Sequence, residues 1–353
     1  MKWGESMKIS DCLKTLSLCV FYCCLNNAPI HAQEVNFSGK MITILVGYSP
    51  GGIGYDTYGR LLSRYIAKYI PGNPQTAVSN RPGAGSMTLA NYMYNVAPHD
   101  GTEIALVGRG IATDPLINGA ESTAKFDAVK FAWLASMNNE VSGLYLRKGS
   151  PAKNLNDLLA GIKVEAGSTG AGGDQQVFGQ ALNVLLKMNL HIIPGYPGTN
   201  EILLAMLNGE LDAIAGYSWS AAKIGNANEI KNGDIKIVLQ LGLSKHAELP
   251  DVPLVTELIK NEQDRQALEL IMSRQAMGRP VLGPPGMRPE VVKALRLAIA
   301  KSMADKDFIE EANKIGLEIS FVSGEDVQGL VERMYHLPDI TIKAAQKAVA
   351  VSP

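Results

Sequence analysis

From Met41 onward the chain repeats one pattern: a short β-branched run, a glycine-rich turn, and then an apolar stripe at helical spacing. Ile42 to Val46 reads as a strand, and Pro50-Gly51-Gly52 ends it. Tyr58, Leu61, Leu62, Tyr65, Ile66, Tyr69 and Ile70 then recur three and four positions apart until Pro71-Gly72. This predicts a helix beginning just past Asp56 and packed by one face on a sheet. "QTAVSN" predicts a short strand, "RPGAGS" a second glycine turn, Met87 to Tyr94 a helix, and "TEIALVG" a buried strand.

The same pattern returns later. The strand "IKVEA" (162–166) runs into "GSTGAGGD" (167–174) and a helix with Val177, Phe178, Ala181, Leu182, Leu185 and Leu186 on one face. "HIIPGY", "PGTN" and "EILLAMLNG" follow as strand, turn and helix, and then come the strands "LDAIAGY" and "IKIVLQL". Between the two halves, "FAWLASMNNEVSGLYLRKGS" reads as two strands in near succession, a segment suited to crossing from one lobe to the other. Helical stretches at 290–304 and 306–315 are expected to rejoin the first lobe. The expected fold class is therefore α/β in two lobes, 33–137 with 248–353 and 138–247. Each lobe is a mainly parallel sheet flanked by helices, with binding crevices at the carboxyl ends of the strands.

The first 32 residues follow another pattern. Lys8 and Lys14 flank the start of "TLSLCVFYCCL", an apolar stretch too short to span a bilayer, and "NNAPIHA" follows. This reads as a secretory signal peptide cleaved after Ala32, with either Met1 or Met7 as the start. A lipid anchor on Cys19 is the competing reading, and Leu18 stands where a small residue is expected. All four cysteines lie in this segment, so the mature chain forms no disulfide. The whole chain has 33 basic and 34 acidic residues; without Lys2, Lys8, Lys14, Glu5 and Asp11 it has 30 and 32, a net charge of −2. Such a balance gives no electrostatic footprint for nucleic acid. The expected mature product is soluble, exported to the periplasm and monomeric.

The candidate chemistry lies in the glycine loops. "VGYSPGGIGYD" (46–56) joins a strand to a helix, so backbone N–H groups and the helix dipole point at whatever anion sits in front of them. A Walker loop is excluded because no Gly-Lys-Ser/Thr follows. The dinucleotide fingerprint fails at its third glycine, where Thr57 stands. A carboxylate is the plainest tenant. The loop at 167–174 offers the same donors from the other lobe, and a ligand held between the two would draw the lobes together. Enzyme readings find little support: the five histidines have no metal-ligand spacing, and "GYSPG" lacks the Gly-x-Ser-x-Gly elbow. No cofactor or metal is called for, and an exported hydrolase is a distant alternative.

"GYSPGGIGYDTYGRLL", "NRPGAGS" followed by "PHDGTEIALVG", "GSTGAGGD", "LNGELDAIAG" and "LPDVPLVTEL" occur in this order over about residues 41 to 320. The chain thereby resembles the solute receptors of tripartite tricarboxylate transporters, the Bug family. The resemblance implies a type II periplasmic-binding-protein fold of the Venus flytrap kind. It also implies capture of a small carboxylate, whether a di- or tricarboxylate or an aromatic acid, and delivery to a membrane permease. A receptor that docks on a membrane sensor kinase is the alternative output. The family's first loop falls on Ser49, Gly51, Gly52 and Asp56, and its second on Ser168, Thr169, Gly170 and Gly172. Gly54-Tyr55, Gly173-Asp174 and Tyr196-Pro197-Gly198 depart from the family's usual residues.

Individual side chains extend this candidate site. Arg109, at the end of "IALVG", would hold a second carboxylate as a bidentate pair, or else form a salt bridge to Asp114 or Glu140. Asp56 and Asp174 are expected to cap their helices, with contact to a ligand amine or hydroxyl as a further role. Tyr48, Tyr55, Tyr196 and Tyr217 stand at or beside strand ends, where amphipathic rings stack on a planar ligand. Asn138 would touch the ligand or satisfy backbone groups in the crossover.

Overall fold

The structure is a computed structural model that describes residues 35–51, 54–170 and 172–350. The expected signal segment and Gly52 lie outside the described residues, and Val35 and Asn36 precede a compact unit that starts at Phe37. The first sheet contains β1 (Met41–Val46), β2 (Gln75–Asn80), β3 (Glu103–Leu106), β4 (Ala132–Ser136), β10 (Pro280–Gly283) and β11 (Val322–Ser323), in the order β11-β4-β10-β3-β1-β2. The second contains β5 (Ser142–Arg147), β6 (Val164–Gly167), β7 (Leu190–Ile193), β8 (Ala213–Ser218) and β9 (Ile235–Leu241), in the order β7-β6-β8-β5-β9.

Both sheets are mixed. The strands that feed glycine loops run parallel to their neighbours: β1 to β2 and β3, and β6 to β7 and β8. The antiparallel partners come from the crossings. β5 enters the second sheet directly from β4 and pairs antiparallel with β8 and β9. β10 returns from the second sheet and pairs antiparallel with β3 and β4.

The helices are α1 (Tyr55–Ile66), α2 (Met87–Asn95), α3 (Asp114–Ile117), α4 (Leu155–Leu159), α5 (Asp174–Leu186), α6 (Thr199–Leu207), α7 (Trp219–Gly225), α8 (Ala227–Lys231), α9 (Glu262–Met272), α10 (Pro289–Met303), α11 (Lys306–Lys314), α12 (Gly324–Tyr335) and α13 (Asp339–Val349). The stripe foreseen for α1 is its buried face: Tyr58, Leu61, Leu62 and Ile66 lie against the first sheet, and each buried Leu or Ile contributes about 1.5–3 kcal/mol. The ring hydroxyl of Tyr65 reaches outward to Glu311 and ties α1 to α11, and that of Tyr69, in the turn after α1, bonds Asp305 just before α11. α5 buries Val177, Phe178, Ala181 and Leu182 against β7 and β8. α13 packs on α9, α5 and α3.

Two segments join the sheets, 137–141 and 242–279, and they run side by side where they cross. The amide of Gly278 donates to the Asn138 carbonyl at 2.9 Å, that of Glu140 to Gln275 at 2.9 Å, and that of Met137 to Arg279 at 3.0 Å. This short pair of hydrogen-bonded chains is the natural place for a hinge.

Candidate functional site

Beside the crossing lies a cleft of about 250 Å³, lined from both sheets. Residues 47–51 and 54–56, leading from β1 into α1, form one wall, and Pro82 to Gly85, leading from β2 towards α2, continue it. The facing wall is Thr169 and residues 172–175 at the start of α5, with Pro197 to Glu201 at the start of α6. Gly54, Gly173 and Gly198 occupy the positions immediately before their helices, and no side chain caps any of the three. The first-turn amides of a helix have no acceptor within it, so three helix N-termini bring donors and partial positive charge into one cleft. The pyrrolidine rings of Pro50, Pro82 and Pro197 and the rings of Tyr48, Tyr55 and Tyr217 supply apolar wall.

Asp56 does not cap α1. It stands one residue inside the helix, and its carboxylate accepts from the Gly51 amide, Arg60 Nε and Asn80 Nδ2, each at 2.8 Å. It therefore braces the loop from behind. Burial alone would raise its pKa, but the hydrogen bonds from Arg60, Asn80 and Gly51 outweigh it and hold the carboxyl below its ordinary range. The Gly51 amide is thus already engaged, and donors for a ligand come from further along the turn.

Asp174 does not cap α5 either. It is the first residue of the helix, and its carboxylate bridges two arginines, Arg109 Nε at 2.6 Å and Arg274 Nη1 at 3.1 Å. Burial again pushes the carboxyl upward, and the charges and hydrogen bonds of Arg109 and Arg274 hold it below the ordinary range. The remaining two nitrogens of Arg109 also find partners: its Nη2 donates to Ser142 at 2.8 Å and its Nη1 to Ser218 at 3.3 Å. The ion pair considered with Asp114 or Glu140 is made with Asp174 instead, and each of the three guanidinium nitrogens has one partner within the protein. Arg109 follows β3 of the first sheet whereas Asp174 starts a helix beside the second, so this pair joins the two walls.

Tyr48 and Tyr55 stack with ring centroids 4.2 Å apart, and the Tyr55 hydroxyl accepts from the Arg109 amide at 3.1 Å and donates to the Gly278 carbonyl at 3.2 Å. Tyr217 is held by a bond from its hydroxyl to Asn226 Oδ1, and burial pushes its phenol upward. Ser49, Gly51, Thr169 and Gly172 line the cleft as well. Four of the described sequence candidates lie off its lining. Ser168 is buried, with its Oγ accepting from the Gly170 amide at 3.1 Å, and Gly170 turns the loop at φ 121°. The Tyr196 amide bonds the Ser168 carbonyl at 3.2 Å, and Pro197 takes the wall position beside it. Asn138 is fully buried in the crossing, where its side-chain amide donates to Glu140. Its side chain thus pairs with the Glu140 carboxylate, and neither a backbone group nor the cleft lining receives it.

Several lining residues were not singled out from sequence. Pro82 to Gly85 and Pro197 to Glu201 are also glycine turns between a strand and a helix, so the signal that marked the two chosen loops was present there. Arg279 had no such signal. It stands at the end of the second crossing, with its guanidinium 4.7 Å from the Tyr55 ring and 5.2 Å from that of Tyr58, and it pairs with Glu140 at 3.3 Å.

Two mixed α/β sheets, a double crossing and a cleft walled by helix N-termini define a two-lobed solute-binding protein. The family model "Tripartite tricarboxylate transporter family receptor" matches residues 66–344, and the chain belongs to that family. It is 25% identical over 304 residues to the "UPF0065 protein in gbd 5'region" of Cupriavidus necator, covering 84% of this chain and 85% of that one. The structure of the periplasmic binding protein BugD superposes with a TM-score of 0.69 at 20% identity, covering 88% of this chain and 98% of that one. MatC of Rhodopseudomonas palustris with bound malate gives 0.66 at 19%, covering 89% and 100%. These likenesses show the Bug-type fold.

Proposed function

We propose that the chain is a periplasmic receptor, exported by the segment ending at Ala32, that captures a small carboxylate between its two walls and hands it as a monomer to a membrane permease. The observation that carries this reading is the convergence of three uncapped, glycine-led helix N-termini from both sheets on one cleft. Carboxylate oxygens accept from such amides without needing a side-chain cation. The malate in MatC, a protein of the same fold, supports the choice of anion. The ligand bridges the walls, and closure about the crossing strands buries it.

The test is a thermal-shift screen of the chain from Gln33 against small carboxylates and their neutral amides. A ligand that binds only the native state adds ~2.7 kcal/mol at a hundredfold excess over its dissociation constant. At least one acid is expected to raise the midpoint where its amide does not. Equal shifts from acids and amides, or none from any acid, would contradict the reading.

A further inference from the structure

We propose that Gln175, held between Thr169 and Thr199, reads a hydroxyl group beside the ligand's carboxylate, so that the receptor selects 2-hydroxy acids over their deoxy counterparts. This rests on the carboxylate-receptor reading and narrows it. Gln175 is the second residue of α5, and it lines the cleft while only 7% exposed. Thr169 Oγ1 donates to Gln175 Oε1 at 3.1 Å, and Gln175 Nε2 donates to Thr199 Oγ1 at 3.4 Å. Thr199 is the first residue of α6, so this row of side chains joins the starts of the two helices that form the second wall. Gly173 makes room for it: a β-carbon there would stand 2.5 Å from Thr169 Oγ1 and 3.0 Å from Gln175 Oε1.

Each member of the row has bonding capacity left. A primary amide nitrogen carries two hydrogens, and Thr199 accounts for one of those on Gln175. The Thr199 hydroxyl accepts from Gln175, and its own hydrogen meets no acceptor among the described residues. Thr169 spends its hydrogen on Gln175 and keeps lone pairs open. Donors and an acceptor side by side match a hydroxyl, which accepts one bond and donates another. An ammonium brings donors only and a carbonyl oxygen acceptors only, so either would leave part of the row unmatched. Because Gln175 belongs to the first turn of α5, a carboxylate on the α5 amides sets its 2-substituent next to this row. A bare methylene there would strip water from the amide and hydroxyl donors without replacing it, which disfavours the deoxy acid.

The experiment compares acids that differ by that one hydroxyl: mandelate with phenylacetate, lactate with propionate, and malate with succinate. Both enantiomers of each hydroxy acid are titrated by calorimetry on the chain from Gln33 at pH 7.5, with the neutral amides as controls. In each pair that binds, the better enantiomer is expected to be at least about tenfold tighter than the deoxy acid, a difference of roughly 1.4 kcal/mol. In Gln175→Leu and in the isosteric Thr199→Val, that ratio is expected to fall below about threefold. A deoxy acid that binds the wild type as tightly as its hydroxy acid, or a ratio that survives both substitutions, would overturn the inference and leave the carboxylate receptor standing. Amides that bind as well as the acids, or no binding by any acid, would overturn both.

Discussion

At the scale of single residues, Asp174 carries the most consequence. It is the only described partner that links Arg109 to Arg274, and it stands on the opposite wall from Arg109. Asp174→Asn would leave two buried guanidiniums without their counter-charge, at a cost of about 3 kcal/mol. Urea titration at pH 7 checks this, and an unchanged midpoint would contradict it. The sign of the pH dependence follows from the depressed folded-state value. A carboxyl held below its unfolded value of about 3.9 contributes stability that is present above that value and is lost as pH falls through the folded value. The wild type should therefore lose more stability than Asp174→Asn between pH 5 and pH 2. Parallel losses in the two proteins would show that the ion pairs play no part in acid unfolding.

At the scale of elements, backbone closeness does what side chains do elsewhere. Gly85 holds φ at 62°, and a β-carbon there would stand 3.2 Å from the Gly172 carbonyl carbon and 3.3 Å from the Gly173 nitrogen. The turn before α2 thus touches the turn before α5 across the cleft. Gly85→Val should keep the walls apart, lowering carboxylate affinity at least tenfold while each sheet keeps its structure; calorimetry with circular dichroism reads both. Unchanged affinity would remove this contact from the binding cycle. Gly216 does similar work inside the second wall. It is the extra residue between Ala215 and Tyr217 where the pairing of β8 with β5 shifts, and its φ is 95°. This bulge lets the start of α5 approach the sheet, since a β-carbon at Gly216 would lie 3.1 Å from Asp174 Cβ. Gly216→Val should displace Asp174 and reproduce part of the Asp174→Asn loss of stability.

At the scale of the whole molecule, ligand capture is a closing of two walls about the paired crossing strands. Small-angle scattering of the chain from Gln33 should show a smaller radius of gyration with a bound acid than without, and equal radii would argue against closure. Much of this architecture is legible in the sequence, because a strand, its glycine turn and the stripe of α1 or α5 are local patterns that a short window contains. The site is legible only in part, for a physical reason. Glycine loops are local, but Arg109 meets Asp174 across 65 positions, and neither residue's neighbours in the chain record that contact. Asp56 and Asp174 look like caps in sequence because acids at helix starts usually are; Asp174 instead meets two arginines far away in the chain, and Asp56 turns back to Gly51, Asn80 and Arg60. Arg279 reaches the cleft only because the second crossing brings it back. The central claim is that a carboxylate sits on helix N-termini shared by the two walls. Its most direct test is a crystal structure of the chain with the tightest acid from the screen. The account predicts carboxylate oxygens about 3 Å from the first-turn amides near Tyr55 or Asp174. A carboxylate bound to the guanidinium of Arg109 or Arg279, or outside the cleft, would contradict it.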